Sequence, residues 1–296
     1  MIYKNITEFN LNPCAVTLGK FDGLHIGHRK LIDRVKAIAK EENTESTVFS
    51  FDTSIFRNVK LLNTPEERVE IYKTLGVDNV IFYPVNEKTM GIEPEDFIKN
   101  VLVNDINAKY IVTGEDFRFG HKRRGDVDTL GKYMTEYRYT HEVVKSVMLE
   151  DTKVSSSAIK ELLSKGNIQL ANEMLGYEYF IMDYVKEGRH IGRTIDTRTI
   201  NVIPKKNKFL PKSGVYATFT EIDGVRHKSI TNVGVNPTVS NDGKITVETH
   251  ILNFDKNIYG KDVKIIFRKF IRNEKKFPNL QALKSQIRLD ISQANL

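Results

Sequence analysis

The chain has 296 residues, 40% of them hydrophobic and 28% charged, and carries a net charge of +7. That length holds two ordinary domains, no stretch approaches the ~20 apolar residues needed to span a bilayer, and the lone Cys14 excludes an internal disulfide or a cysteine-cluster metal site. The positive charge suits anionic nucleotides as well as nucleic acid, but the basic residues are scattered, with small clusters at 121–124 and 204–208 and no stacking aromatics between them.

In chain order, the opening MIYKNITEFN lacks the basic and then apolar stretches of a signal peptide, so a cytoplasmic location is expected. Strand patterns follow at 14–18, 46–51, 79–83, 109–113 and 142–147, with helix patterns between them at 28–41, 65–75, 94–103 and 126–136. Alternation of this kind predicts an α/β fold, a parallel sheet with helices on both faces, over residues 1–180. Ligands of such sheets bind beyond the carboxyl ends of the strands, where the turn after 14–18 and the loop after 109–113 both open.

The first of those turns is Gly19-Lys20-Phe21-Asp22-Gly23-Leu24-His25-Ile26-Gly27-His28. Free backbone N–H groups and the helix dipole favour a polyphosphate there, and each imidazole adds one donor toward phosphate oxygens. Nothing in the turn is a nucleophile. Positioning and stabilisation of charge developing at the α-phosphate of a nucleotide are therefore the expected chemistry. Farther on, Ser155 reads as the cap of a helix containing Ile159, Leu162 and Leu163.

From about Ile181 short β-rich runs take over at 214–221, 226–233, 245–252 and 262–268, before a helix with Leu280, Leu283, Ile287 and Ile291 on one face. The second half, 181–296, is expected to be a small antiparallel barrel closed by that helix, with the boundary near Glu178 to Asp183.

The turn resembles the HxGH signature of nucleotidyltransferases. The whole chain resembles the bacterial bifunctional riboflavin kinase/FMN adenylyltransferase, or FAD synthetase, family. The first half carries the likeness in Gly19–His28, Thr113–Gly120 with Arg124-Gly125-Asp126, and Val154–Lys160. The second carries it in Gly214–Ala217, Asn232–Thr238, Val247–His250, and Ile271-Arg272 before Lys276-Phe277.

The resemblance implies a nucleotidyltransferase domain that joins ATP and FMN into FAD and releases pyrophosphate with Mg2+, followed by a riboflavin kinase-like domain. Its partners would be ATP, FMN and riboflavin, with no nucleic acid and no membrane. It gives catalytic roles to His25, His28 and Lys160. Nucleotide contacts fall to Gly19, Phe21, Asp22, Gly23, Gly27, Ser155, Ser156 and Ser157, and flavin contacts to Gly114, Asp116, Phe117 and Phe119. In the kinase half it points to Thr199, Asn201, Glu248 and Arg272, with Thr199 and Asn201 reaching the magnesium.

Three departures stand out. Lys160 replaces an arginine, keeping charge but losing the bidentate fork. Phe51-Asp52-Thr53-Ser54-Ile55 replaces a proline- and histidine-bearing run. In the kinase half Asp196, Arg198 and Ile200 replace a glycine, a proline and an alanine, so weak or absent kinase activity is expected. Two other readings stay open at this point. One is an aminoacyl-tRNA synthetase-like enzyme, since His25–His28 is literally HIGH. The other is a flavin-binding regulator without catalysis.

Overall fold

Apolar residues at successive positions mark strands covered on both faces, and the strands of the first half read that way. The computed structural model describes residues 1–4, 11–56, 58–185, 199–235 and 245–294. Six strands form one sheet: β1 (Ile2–Lys4), β2 (Cys14–Gly19), β3 (Glu45–Asp52), β4 (Asn79–Pro84), β5 (Ala108–Gly114) and β6 (Thr140–Val144). Their order is β1-β4-β3-β2-β5-β6 and every neighbouring pair is parallel. Side chains along β2 feed two cores. Ala15 packs with Val112 and with Leu31, Val35, Ile38 and Ala39 of α1 (Ile26–Glu41). Cys14, Val16 and Leu18 face the other layer, among Phe49, Ile81, Phe97, Ile98, Val101 and Leu102.

The strand order reverses at β2, which has β3 on one side and β5 on the other. That reversal makes the crevice beyond β2 and β5 the expected ligand position. α2 (Pro65–Leu75) begins in a capping box, with Thr64 Oγ1 accepting from the Glu67 amide at 3.3 Å and Glu67 Oε2 accepting from the Thr64 amide at 2.8 Å.

Several elements differ from the sequence pattern. The helix expected at 94–103 starts as α4 (Pro94–Asp96), after the short α3 (Glu87–Met90), and passes into a π-helical segment, Phe97–Asp105. Its wider turn brings Phe97, Ile98, Val101 and Leu102 onto one buried face. The helix expected at 126–136 divides into α5 (Val127–Lys132) and α6 (Met134–Tyr137). β6 stops at Val144, so 145–147 are not strand. A two-stranded hairpin, β7 (Met148–Leu149) with β8 (Thr152–Lys153), was not foreseen.

Packing divides the chain into two units, Met1–Ser155 and Ser156–Leu296. The second opens with α7 (Ser156–Lys165), directly after Ser155, and α8 (Ile168–Leu175). Its sheet holds β9 (Phe180–Tyr184), β10 (Thr199–Val202), β11 (Gly214–Ile222), β12 (Val225–Val235), β13 (Ile245–Ile251) and β14 (Asp262–Arg272). The order is β10-β13-β12-β11-β14-β9, antiparallel throughout. β9 and β10 had no sequence signal of their own. Asn172 of α8 donates to the Phe267 carbonyl of β14 at 3.0 Å, which ties that helix to the sheet. The terminal helix α9 (Leu280–Ala294) packs Ile291 and Ala294 against Val215, Ala217 and Ile230.

The opposite face of this sheet is buried and, unusually, carries hydroxyls. Thr218, Thr220, Ser229, Thr231 and Thr249 are all 0% exposed. Thr218 bonds Ser229 and Thr231, each at 2.8 Å, Thr231 bonds Thr249 at 2.9 Å, and Thr220 donates to Ser229 at 2.9 Å.

Candidate active site

The turn that leaves β2 is strained. Phe21 (φ 48°) and Leu24 (φ 39°) are non-glycine residues in the left-handed region, with Gly23 (φ 87°) between them. Such positions cost about 1–3 kcal/mol each and persist only where surroundings over-determine them. The determinants lie on neighbouring segments. Asp22 Oδ1 accepts from the Leu62 amide at 2.7 Å, and Phe21, fully buried, sets its ring 5.1 Å from that of His28. Asp22 and Phe21, expected at the nucleotide, are thus used in shaping the turn.

His25 is the N-cap of α1, and its Nδ1 accepts from the His28 amide at 3.3 Å. Acceptance at Nδ1 leaves the proton of the neutral ring on Nε2. The two imidazoles stack, with centroids 3.6 Å apart and an 18° interplanar angle. Gly27 lies close against the His25 ring. A Cβ there would meet the His25 ring at 3.2 Å and the Val154 carbonyl at 4.0 Å. Val154 thereby brings the chain just before Ser155 beside the turn. In the first turn of α1, the N–H groups of Ile26 and Gly27 have no acceptor inside the helix. Two neutral imidazoles and two free amides at a helix N-terminus form an anion cradle.

Burial lowers the His25 pKa to about 4, and burial together with the adjacent His25 drives that of His28 well below its ordinary value. Each ring is neutral in the folded chain and protonated in the unfolded chain below pH 6.5. The unfolded state then binds more protons, so this stability is complete above pH 6.5 and drains as pH falls toward 4. For His25 alone the loss is on the order of 3 kcal/mol. Melting temperatures from pH 7 to 4.5 should fall less steeply for His25→Asn than for wild type. Superimposable profiles would refute the assignment.

Beyond β5, Phe117 and Phe119 stack at 5.4 Å, and Phe51 at the end of β3 lies 6.5 Å from Phe117 at 26°. Phe119 is buried in the core, and Phe51 and Phe117, partly buried against it, offer an aromatic surface suited to a planar heterocycle. Phe51, from the divergent run, belongs to it and was not among the expected site residues. Asp116, beyond Gly114, is ion-paired to Lys153 of β8, which also lies 4.0 Å from Glu115.

Arg68 of α2 was missed as well. It is 2% exposed, yet its guanidinium donates to the Lys20 carbonyl at 3.2 Å, Ser50 Oγ at 3.0 Å and Asp52 Oδ1 at 3.1 Å. The available signal was an arginine three and four residues before Ile71 and Tyr72, on the buried face of an amphipathic helix.

In the second unit the register draws one row across the sheet: Asn201–Glu248–Asn232–Val215–Arg272. Directly paired residues share a face, so Asn201 and Glu248 stand together, with Thr199 and His250 paired two residues along. Ile200 points the other way, into the core face with Val202, Val247 and Thr249. Arg272 is held by Asp290 of α9 through two bonds of 2.8 Å. Asp196 and Arg198 lie outside the described residues. Lys160 and Ser156–Ser157 belong to α7, in the second unit. Among the described residues no three His, Cys, Asp or Glu side chains gather as a metal site. Thr199, Asn201 and Glu248 offer oxygen donors of the kind that magnesium accepts alongside water and phosphate.

Comparison with known proteins covers both halves. Residues 7–158 match the FAD synthetase family and residues 175–296 the riboflavin kinase family. A bifunctional riboflavin kinase/FMN adenylyltransferase of Buchnera aphidicola from Acyrthosiphon pisum is 33% identical, covering 97% of this chain and 94% of its own. The protein of that name from Listeria monocytogenes is 31% identical, covering 93% and 90%. A Streptococcus pneumoniae crystal structure described as a macrolide-efflux protein matches with TM-score 0.89 at 25% identity, covering 100% of this chain and 99% of that one. Its description speaks of efflux. Among the described residues here, no helix is long and apolar enough to cross a membrane.

Proposed function

The chain belongs to the bifunctional riboflavin kinase/FMN adenylyltransferase family, and from that premise we propose that its first half makes FAD from ATP and FMN. A phosphate oxygen of FMN attacks the α-phosphorus of ATP. The bond from that phosphorus to the bridging oxygen of the β-phosphate breaks, and pyrophosphate leaves. No covalent enzyme intermediate is needed, in keeping with a turn that holds no nucleophile. Magnesium, arriving with ATP, would neutralise phosphate charge.

The observation that carries this reading is the stacked His25/His28 pair at the sheet's reversal point, with His25 Nδ1 tied and its Nε2–H left to donate. Donors fixed in advance stabilise developing charge without reorganising. Incubation with ATP, FMN and magnesium should yield FAD and pyrophosphate in equal amounts by chromatography. Flavin binding without product would favour the regulator, and pyrophosphate exchange dependent on an amino acid would favour the synthetase-like enzyme.

Lys160 supplies a point charge to the phosphates in this reading. Lys160→Ala should raise the KM for ATP by about tenfold or more, the scale of a charge-assisted hydrogen bond, with little change for FMN. Lys160→Arg should match or exceed wild type. Equal losses in both variants would assign Lys160 to the helix start instead.

For the second half we infer a riboflavin kinase-like domain, residues 181–296, whose activity is weak or absent because Asp196 brings a carboxylate to the nucleotide phosphates. The second reading, full bifunctionality, is favoured by the row that keeps Asn201 beside Glu248 and Thr199 on their face. FMN formation from riboflavin separates the two.

A further inference from the structure

We propose that Arg68 is a positioning residue of the adenylyl-transfer site, acting through the Lys20 carbonyl on the strained turn that carries His25 and His28. The inference rests on the adenylyltransferase reading above and adds to it a residue that never touches substrate. One terminal guanidinium nitrogen of Arg68 serves both the Lys20 carbonyl at 3.2 Å and Ser50 Oγ at 3.0 Å, while the other terminal nitrogen serves Asp52 Oδ1 at 3.1 Å. Its guanidinium carbon also sits 4.9 Å from the centre of the Phe82 ring of β4. A single side chain thus ties together the carboxyl ends of β2 and β3 over β4.

Lys20 is the last residue before the left-handed Phe21, so its carbonyl fixes where the turn begins. The second anchor comes from the same stretch of chain, since the Leu62 amide that holds Asp22 lies just before the capping box of α2. Residues 61–68 form a brace for the turn. Arg68 is its charged member, and Asp52 neutralises that charge in a place where both side chains are nearly shut from water, at 3% and 12% exposure. Only the planar fork reaches three acceptors in these directions; an ammonium at the end of a flexible stem does not.

Catalytic donors must be held near their productive geometry, and a shift of about 1 Å costs on the order of 10²-fold in rate. Removing Arg68 alone would strand a buried carboxylate and threaten folding. The test therefore pairs Arg68→Met with Asp52→Asn, which removes both charges, and adds Arg68→Lys as the conservative variant. All are assayed as the full chain, with FMN and ATP varied independently and melting followed by calorimetry.

The double variant should melt cooperatively and keep its KM for FMN within about twofold. Its kcat for FAD formation should fall on the order of 10²-fold, and Arg68→Lys should recover part of that loss. Wild-type kcat in either variant overturns the proposal. A loss that tracks the unfolded fraction, or that weakens FMN binding equally, also overturns it and leaves Arg68 a purely structural residue. Absence of FAD formation by the wild-type chain would instead sink the adenylyltransferase reading itself.

Discussion

Replacing His25 or His28 with alanine should lower the rate of FAD formation by about 10²-fold or more, the scale for deleting one preorganised donor to developing charge. The two positions are not equivalent in the fold. His25 is the N-cap of α1, so alanine there also removes a cap worth ~1 kcal/mol, and part of any loss could be blamed on fraying of the helix. His25→Asn resolves this. Asparagine is among the best caps and can accept from the same amide, yet it brings no imidazole Nε2–H. If the donor matters, His25→Asn loses nearly as much rate as His25→Ala while melting close to wild type. The stacked pair should also act as a unit, so the double alanine variant should lose less than the product of the single losses. Near-normal turnover in the double variant would remove both residues from the mechanism.

The second large effect lies in the other half. Riboflavin, ATP and magnesium should give little or no FMN. By the family resemblance, Asp196 would add a negative charge near the nucleotide phosphates, at a cost above roughly 1 kcal/mol if desolvated, and Arg198 replaces a proline that would shape the backbone. Glu248, the expected base, then lacks a well-placed phosphoryl donor, and proton transfer alone contributes only ~10²–10⁴-fold. The structure changes which variant best tests this expectation. Ile200 looked like a third culprit because of its bulk, but it faces the buried side of β10, away from Asn201 and Glu248. Ile200→Ala would open a cavity costing about 2–5 kcal/mol and gain nothing at the site. Asp196→Gly with Arg198→Pro is the informative variant. FMN formation that appears only in that variant locates the defect, whereas robust formation by the wild-type chain establishes the bifunctional reading.

What the sequence made legible was local. A turn rich in glycine and histidine between an apolar run and a helical one announces its own geometry, and the buried face of α1 is spelled out by Leu31, Ile32, Val35, Ile38 and Ala39. The paired row in the second sheet was only half visible. Asn201 and Glu248 were identified one by one, but a cross-strand partnership depends on register, which no single strand encodes. The spacing of Arg68 to Ile71 and Tyr72 marked its face of the helix, but its partners were hidden for a related reason. Its three acceptors lie 16, 18 and 48 residues away, and a charged residue on a helix reads as solvent-facing until the fold places carbonyl and carboxylate around it. β9 and β10 are edge strands of five and four residues, too short to announce themselves against the turns beside them. Phe51 fell in a run judged by what it lacked, and its ring stacks beside Phe117 all the same.

The hydroxyls buried between β11, β12 and β13 bear on how this sheet finds its alignment. A wholly aliphatic interface tolerates neighbouring strands sliding by two residues, since one methyl-bearing surface meets another at modest cost. Thr218, Thr220, Ser229, Thr231 and Thr249 are joined in the observed alignment, where each oxygen finds another across the strand gap. A shift that carried these hydroxyls opposite aliphatic side chains would leave them dry and unbonded, each costing about 1–3 kcal/mol. The cluster therefore works as a proofreading device for assembly. It contributes little net attraction to the finished sheet, but it penalises alignments that separate its members, and in doing so it keeps Glu248 of β13 opposite Asn232 of β12.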